Sequence, residues 1–209
     1  MPDGGDAITL HVVERIAKVR AADWDACAGT DIPFLNHAFL DALEASGSAT
    51  AEAGWLPQHV VAEDAEGRVV AVVPMYLKSH SYGEYVFDHG WAQAYERAGG
   101  RYYPKLQVAV PFTPVAGPRL LIRGDVERAA IVPSLIEALA RIAQRRRVSS
   151  LHVTFCTAGE AEAFRRAGWL VRRGMQYHWH NRGYATFDDF LRELTHERRK
   201  AIRRERRGV

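Results

Sequence analysis

His59-Val-Val-Ala-Glu63 and Arg68-Val-Val-Ala-Val-Val-Pro-Met-Tyr-Leu77, joined by Asp64-Ala-Glu-Gly67, form the stretch that decides the fold. Two β-rich runs around a turn-forming tetrad read as a hairpin. Pro74 has no amide hydrogen to give a ladder, so it is expected at an edge or a bulge. Val69 to Leu77 is also the longest apolar run, nine residues. A bilayer span needs about 20, so no transmembrane helix is expected.

Toward the N-terminus, Ile8 to Val13 reads as a strand and Ala21 to Ala28 as a short helix near Asp23. Asn36 is placed to cap a second helix carrying Phe39, Leu40 and Leu43, with Gly47 as its stop. Met1 to Asp6 is acidic and turn-like, without the basic and apolar regions of a secretory signal. Toward the C-terminus, Glu84 to Asp88 is expected to be a strand, Ala92 to Ala98 a helical turn and Leu106 to Val110 a strand. A long helix is expected from about Asp125 to Arg146, with Leu135, Ile136, Leu139 and Ile142 as its core stripe and Pro133 starting or kinking it. Leu151 to Phe155 reads as a strand, Ala158 to Ala167 as a helix and Leu170 to His180 as a last strand. Thr186 with Asp189 gives a capping signal for a helix bearing Phe187, Phe190, Leu191 and Leu194. This alternation predicts an α/β (α+β) protein, a mixed central sheet flanked by helices.

The chain has 209 residues, 47% apolar and 25% charged, which is ordinary for a globular domain with its own core. Cys27 and Cys156 lie far apart in apolar settings and read as reduced core residues of a cytoplasmic protein. The net charge of +3 is unevenly spread. Seven basic and two acidic residues between His196 and Val209 contribute +5, leaving −2 for the rest. The basicity belongs to the tail.

No P-loop, dinucleotide fingerprint, nucleophile elbow or metalloprotease helix occurs. Lys78 to Arg119 instead concentrates polar aromatics and charges between glycines and prolines. Tyr82, Tyr85, Tyr102 and Tyr103 offer ring contacts, Lys78, Lys105 and Arg119 can neutralise an anionic group, and Asp88 or His89 can move a proton. The plainer reading is a solvated strand edge with tyrosines bridging core and water. His178 and His180, with His152, have strand spacing that suits a metal, but hydrogen-bonded sheet histidines are commoner and no metal is expected. In the tail, Arg199, Lys200 and Arg203 suit phosphate contact, against the simpler reading of a charged exposed helix face. Nothing there supports DNA base readout.

Three strings carry a family resemblance: FLNHAFLDALEASG from Phe34, KSHSYGEYVFDHGWAQAYERAGGRYYPKLQVAVPFTPVAGPRLL from Lys78, and QYHWHNRGYATFDDFLRELTHERRKAIRRERRGV from Gln176. They resemble the FemAB-like proteins, predicted N-acyltransferases of the GNAT superfamily associated with peptidoglycan biosynthesis. The resemblance implies a GNAT-like fold and transfer of an acyl or aminoacyl group to a small-molecule or peptidyl amine. The donor is acyl-CoA or aminoacyl-tRNA, the latter making tRNA a partner. No glycine-bearing pyrophosphate loop precedes the Asp125 helix; Arg97 to Arg101 is a distant echo. The resemblance further implies that residues 1–183 are the first GNAT-like half and 184–209 a basic helical segment leading to a second half. Self-association through the surface left uncovered is then expected. The alternative is a non-catalytic binding module presenting its basic helix to RNA or a protein.

Overall fold

A computed structural model of the chain describes residues 8–208, in two compact units, residues 8–172 and 173–208. The acidic stretch Met1 to Asp6 lies outside the described residues, as does Val209.

In the first unit the hairpin is present, but its second arm is divided between two sheets. Strands β1 (Thr9–Val13), β3 (His59–Glu63), β4 (Val69–Val73) and β7 (Leu121–Ile122) form one sheet in the order β1-β3-β4-β7. Strands β2 (Trp55–Pro57), β5 (Met75–Lys78), β6 (Lys105–Val108) and β8 (Leu151–Val153) form the other, in the order β2-β5-β6-β8. All pairs are antiparallel except β6·β8. Pro74 sits at the divide between β4 and β5. Around it the pairing irregularity is closed by two bonds, Gln58 N–H to the Met75 carbonyl at 2.7 Å and Ala109 N–H to the Pro74 carbonyl at 3.2 Å.

The first sheet is buried on both faces, which is why β4 reads as continuous Val and Ala rather than as an alternation. Val61, Val69 and Val72 meet Trp24, Leu35 and Leu40 from helices α1 (Ala21–Ala28) and α2 (His37–Ala45) and the turn between them. Val60, Val70 and Val73 face the long helix α4 (Arg128–Arg146), whose Ile131, Leu135, Ile136 and Leu139 are buried. Glu127 caps α4 by accepting from Ala129 N–H, and Pro133 lies inside the helix. Helices α3 (His89–Arg97) and α5 (Ala158–Arg166) complete the unit. Thr157 and Glu160 form a capping box at the start of α5. Burial pushes the Cys27 thiol up to about 11, and neither cysteine is in a disulfide.

The second unit holds α6 (Phe187–Glu193), started by the Thr186–Asp189 capping box, and α7 (His196–Arg207). The division at Arg172/Arg173 precedes the boundary expected at 183/184.

Two expected strands are absent. Residues 84–88 form an irregular segment in which Tyr85 and Phe87 take φ of 57° and 50°, incompatible with a pleated strand. Residues 170–180 form no strand either; their alternating apolar side chains find no ladder, and Leu170 and Tyr177 are 98% and 93% exposed.

Glu160 is the polar hub of the first unit. Its buried carboxylate accepts from the backbone N–H groups of Arg119 at 2.9 Å, Leu120 at 2.8 Å and Thr157 at 3.1 Å, and pairs with Arg128 at 3.1 Å. Glu160→Ala strands these donors and is expected to lower the unfolding free energy by about 3 kcal/mol in urea titration. Glu160→Gln, which keeps an acceptor, loses less.

Candidate functional site

The register of the second sheet sorts its residues onto two faces. Leu56, Leu77, Leu106 and Leu151 form one cross-strand row, and the last three pack against the core under α4. Side chains alternate along a strand, so the neighbouring rows point the other way. One is Trp55–Lys78–Lys105 and the next Pro57–Tyr76–Gln107–His152. Trp55, Tyr76, Lys78, Lys105 and Gln107 are all fully buried. A sheet with one oily and one polar face, both removed from water, needs an internal partner for each polar group.

Residues 79–88 and Tyr102 supply part of that partnership. Lys105 Nζ donates to Ser81 Oγ at 2.9 Å, Glu84 Oε2 at 2.8 Å and Asp88 Oδ2 at 2.6 Å. Tyr102 donates its hydroxyl to Asp88 Oδ2 at 2.7 Å, and the Ser81 and Tyr103 hydroxyls meet at 2.8 Å. The Tyr102 and Tyr103 rings lie 5.4 and 5.8 Å from the ammonium. Lys78 is held more loosely. Its Nζ sits 3.4 Å above the Trp55 ring, 4.0 Å from Glu84 Oε1 and 3.4 Å from the Tyr82 carbonyl.

The titration of these groups follows their contacts. Burial opposes the Asp88 charge, but hydrogen bonds from Lys105, Ser81 and Tyr102 outweigh it and hold the carboxyl at about 2. Burial raises Glu84 despite Lys105. Burial brings Lys78 down to about 7, with Glu84 opposing and Lys105 adding to the shift. His152, whose Nδ1 is 3.9 Å from Asp88 Oδ2, is lowered to about 4 by burial and then by Lys105. Burial and the Asp88 hydrogen bond raise Tyr102.

The partnership is incomplete. Among the described residues, seven buried side-chain N or O atoms lack a hydrogen-bond partner, and five belong to this polar face and its cover: Trp55 Nε1, Tyr76 Oη, Glu84 Oε1, Asp88 Oδ1 and Gln107 Oε1. Unmet buried polar atoms are costly, so their concentration here marks a candidate site. The covering segment carries strain as well, with Tyr85, Phe87 and the nearby Phe112 at positive φ. Bulky residues seldom adopt that conformation, and it clusters at functional sites.

Of the residues singled out from sequence, Lys78, Asp88, Tyr102, Tyr103 and Lys105 come together here. Tyr82 and Tyr85 are exposed on the covering segment, and His89 opens α3 with its ring 5.8 Å from Tyr82. Several of these residues have their polar groups engaged within the protein. Lys105 has its three donors engaged internally and is not free to grip an anion. Asp88 is held ionised too firmly to accept a proton near neutrality. Arg119 is buried with its guanidinium bound to the carbonyls of Thr154 at 2.9 Å, Pro118 at 3.0 Å and Val115 at 2.7 Å, a structural arrangement. In the second unit, Arg199 closes the C-terminus of α6 through the carbonyls of Leu191, Arg192 and Leu194 at 2.9–3.0 Å, and Arg203 reaches Asp188 at 3.4 Å. Lys200 remains exposed. His178 and His180 stack with ring centroids 6.4 Å apart, and among the described residues no three His, Cys, Asp or Glu are grouped to hold a metal.

Trp55, Tyr76, Glu84 and Gln107 were not assigned roles from sequence. The available signal was the period-two spacing of Tyr76 with Lys78 and of Lys105 with Gln107, which places each pair on one face of a strand.

Lys105→Met leaves Glu84 and Asp88 buried without their cation and is expected to cost about 3–5 kcal/mol of stability. Lys78→Met acts oppositely. The folded Lys78 titrates near 7 against an ordinary 10.5, so the unfolded chain binds more protons between those values. Burying its charge therefore costs stability fully below about pH 7, and the cost is relieved as pH rises toward 10. Parent stability should climb over that window relative to Lys78→Met in denaturant titrations at each pH.

No curated protein matches the chain. Among solved structures, it is similar to a ribosomal-protein-alanine N-acetyltransferase from Brucella melitensis biovar Abortus 2308, at 13% identity and a TM-score of 0.48 over 83% of this chain and 99% of that one. An acetyltransferase from Trypanosoma brucei gives 14% identity and a TM-score of 0.47 over 83% and 100% of the two chains. Glucosamine-6-phosphate N-acetyltransferase from Arabidopsis thaliana gives 8% identity and 0.47 over 84% and 99%. The FemAB-like family, described as peptidoglycan biosynthesis/recognition, matches residues 15–209, and the chain belongs to that family.

Proposed function

We propose that this FemAB-like chain serves N-acyl transfer to a small-molecule or peptidyl amine, with the polar face of the second sheet as the reacting surface. The observation that carries the reading is the set of unpartnered buried polar atoms beside the Lys78–Glu84–Asp88–Lys105 network. In the transfer, the amine lone pair forms a C–N bond to the acyl carbon, the carbonyl oxygen gains charge, and the bond to the leaving sulfur or oxygen then breaks as the amine loses a proton. Trp55 Nε1–H, a buried donor with no acceptor, suits the oxygen that gains charge. The carboxylates suit the amine.

The family description directs attention to amines of cell-wall peptides as acceptors. For the donor, α4 offers no diphosphate cradle at its first turn, because the Glu127 carboxylate takes the Ala129 amide and would repel phosphate. Acyl-CoA and aminoacyl-tRNA are therefore both tested as donors. No helix among the described residues is long and apolar enough to cross a membrane.

A second reading, a non-catalytic module that binds RNA through α7, draws on Arg198, Lys200 and Arg204, which remain exposed. Steep loss of RNA affinity with rising salt is its signature.

Acyl transfer from each donor to a panel of primary amines, followed by mass spectrometry, tests the enzyme. Trp55→Phe keeps a ring over Lys78 while removing the N–H, and is expected to lower kcat by about 100-fold with KM little changed. Parent-like kcat in a folded Trp55→Phe protein removes this face as the reacting surface.

A further inference from the structure

The second unit carries an aromatic box that the acyl-transfer reading does not use. Asn181 Oδ1 accepts from Gly183 N–H at 3.0 Å and from Tyr184 N–H at 2.7 Å. This side-chain turn folds Tyr184 back toward Trp179. Gly183 takes φ of 94° there, a conformation that side chains rarely tolerate. The Trp179 and Tyr184 rings lie within 24° of parallel, with centroids 6.3 Å apart. Each stands at a steep angle to Phe190, at 5.8 and 5.7 Å. Two walls and a floor result, lining a cavity of about 510 Å³ that Phe187 also borders. That volume is the size of a small-molecule site.

What stays free around the box selects its guest. Asn181 Nδ2 donates to the Tyr184 carbonyl at 3.2 Å, and Thr186 is spent on its capping box. Tyr184 Oη donates to Glu193 at 2.7 Å. Little is left to direct the hydroxyls of a sugar. The acidic side chains of α6 are taken as well, Asp188 by Arg203, Asp189 by Thr186 and Arg192, and Glu193 by Tyr184.

Two arginines are not taken. Arg206 lies over the Phe187 ring, 4.3 Å from its centroid. Arg182 is close enough to act on the Tyr184 phenol, which the Glu193 hydrogen bond raises and the Arg182 charge lowers. Both are exposed, and neither side chain forms an ion pair among the described residues. They would repel an organic cation. Ring faces and unpaired guanidinium groups together suit a flat aromatic ring that carries an anion.

We infer that the Trp179–Tyr184–Phe190 box binds a nucleoside phosphate, with its base stacked on Trp179 and its phosphate drawn to Arg182 and Arg206. A ring entering between the walls needs about 7 Å, twice the favourable carbon–carbon separation. Trp179 is 66% exposed and has room to yield by the difference. Every base offers a π face, so stacking itself sets no strong preference among bases. A free mononucleotide and an unpaired nucleotide of single-stranded RNA present this same chemistry. The site is independent of acyl transfer, and Arg198, Lys200 and Arg204 do not line it.

The test titrates adenosine 5′-monophosphate into the full chain at low salt and follows both partners by NMR. The Trp179 indole N–H is assigned by its loss in Trp179→Ala. Upfield movement of the adenine ring protons and a saturating shift of that indole are expected. Trp179→Ala is expected to weaken binding by about 10-fold or more. Arg182→Gln with Arg206→Gln is expected to reduce the monophosphate to the affinity of adenosine, with adenosine held as before. Both arginines are exposed, so this pair also serves where Trp179→Ala does not fold. Ribose 5-phosphate, which has no base, is expected to displace nothing. An unmoved Trp179 indole, undiminished binding in Trp179→Ala, or displacement by ribose 5-phosphate overturns the inference. Equal affinity for the monophosphate and for hexaadenylate assigns a free nucleotide as the guest. Tighter binding of hexaadenylate, lost equally in Trp179→Ala, assigns single-stranded RNA.

Discussion

The organisation of the first unit around its polar face depends on one ammonium group. Lys105 Nζ ties β6 to Ser81, Glu84 and Asp88, and through them to Tyr102 and Tyr103. β6 is also where pairing changes from antiparallel, with β5, to parallel, with β8. The same contact shapes the start of α3. Asp88 occupies the N-cap position, where an aspartate ordinarily accepts from the first-turn amides, yet its side chain makes no capping bond there. The carboxylate is drawn to Lys105 instead. A helix cap is given up for a buried ion pair, so the covering segment is fixed by the sheet beneath it rather than by the helix that follows.

Such an arrangement is hard to explain as stabilisation. Moving charged groups out of water costs several kcal/mol each, and apolar side chains of similar volume commonly do as well or better. The opposite face of the same sheet shows that alternative, with Leu56, Leu77, Leu106 and Leu151 in a continuous row. Both faces belong to the same four strands, so backbone geometry does not require the polar choice. Five unpartnered atoms add a further cost that a purely structural network would avoid. The acyl transfer proposed for this face would give the cost a purpose.

Much of the fold was legible because its elements announce themselves locally. The Asp64–Gly67 turn, the stripe of α4 and the Thr186–Asp189 box each need only neighbouring residues to be read. The segment around Glu84 was not legible, because Glu84-Tyr-Val-Phe-Asp88 has a strand's composition while tertiary ion pairs, invisible in sequence, pull its two carboxylates to one lysine. The stretch Leu170 to His180 misled for a related reason, since alternation describes a strand only where a free edge exists to pair with it. At the candidate site, the composition of Lys78 to Arg119 singled out the region that supplies Lys78, Asp88, Tyr102 and Lys105. It did not separate roles, because which lysine is saturated depends on register and on distances of a few tenths of an ångström.

The arginines and lysines make the same distinction from another side. Arg119 and Arg199 are conspicuous in sequence as anion-binding groups, and both are spent on backbone carbonyls. A guanidinium presents five donors in a rigid plane and remains charged, which suits it to gathering the carbonyls of a loop or a helix end. A lysine presents a compact charge that burial can remove. Placed opposite a neighbour that has already claimed both carboxylates, Lys78 has room to change its protonation without unravelling the network. The cation with the fewest partners is therefore the one most open to a change of protonation, and the count of positive charges along the chain is a poor guide to it.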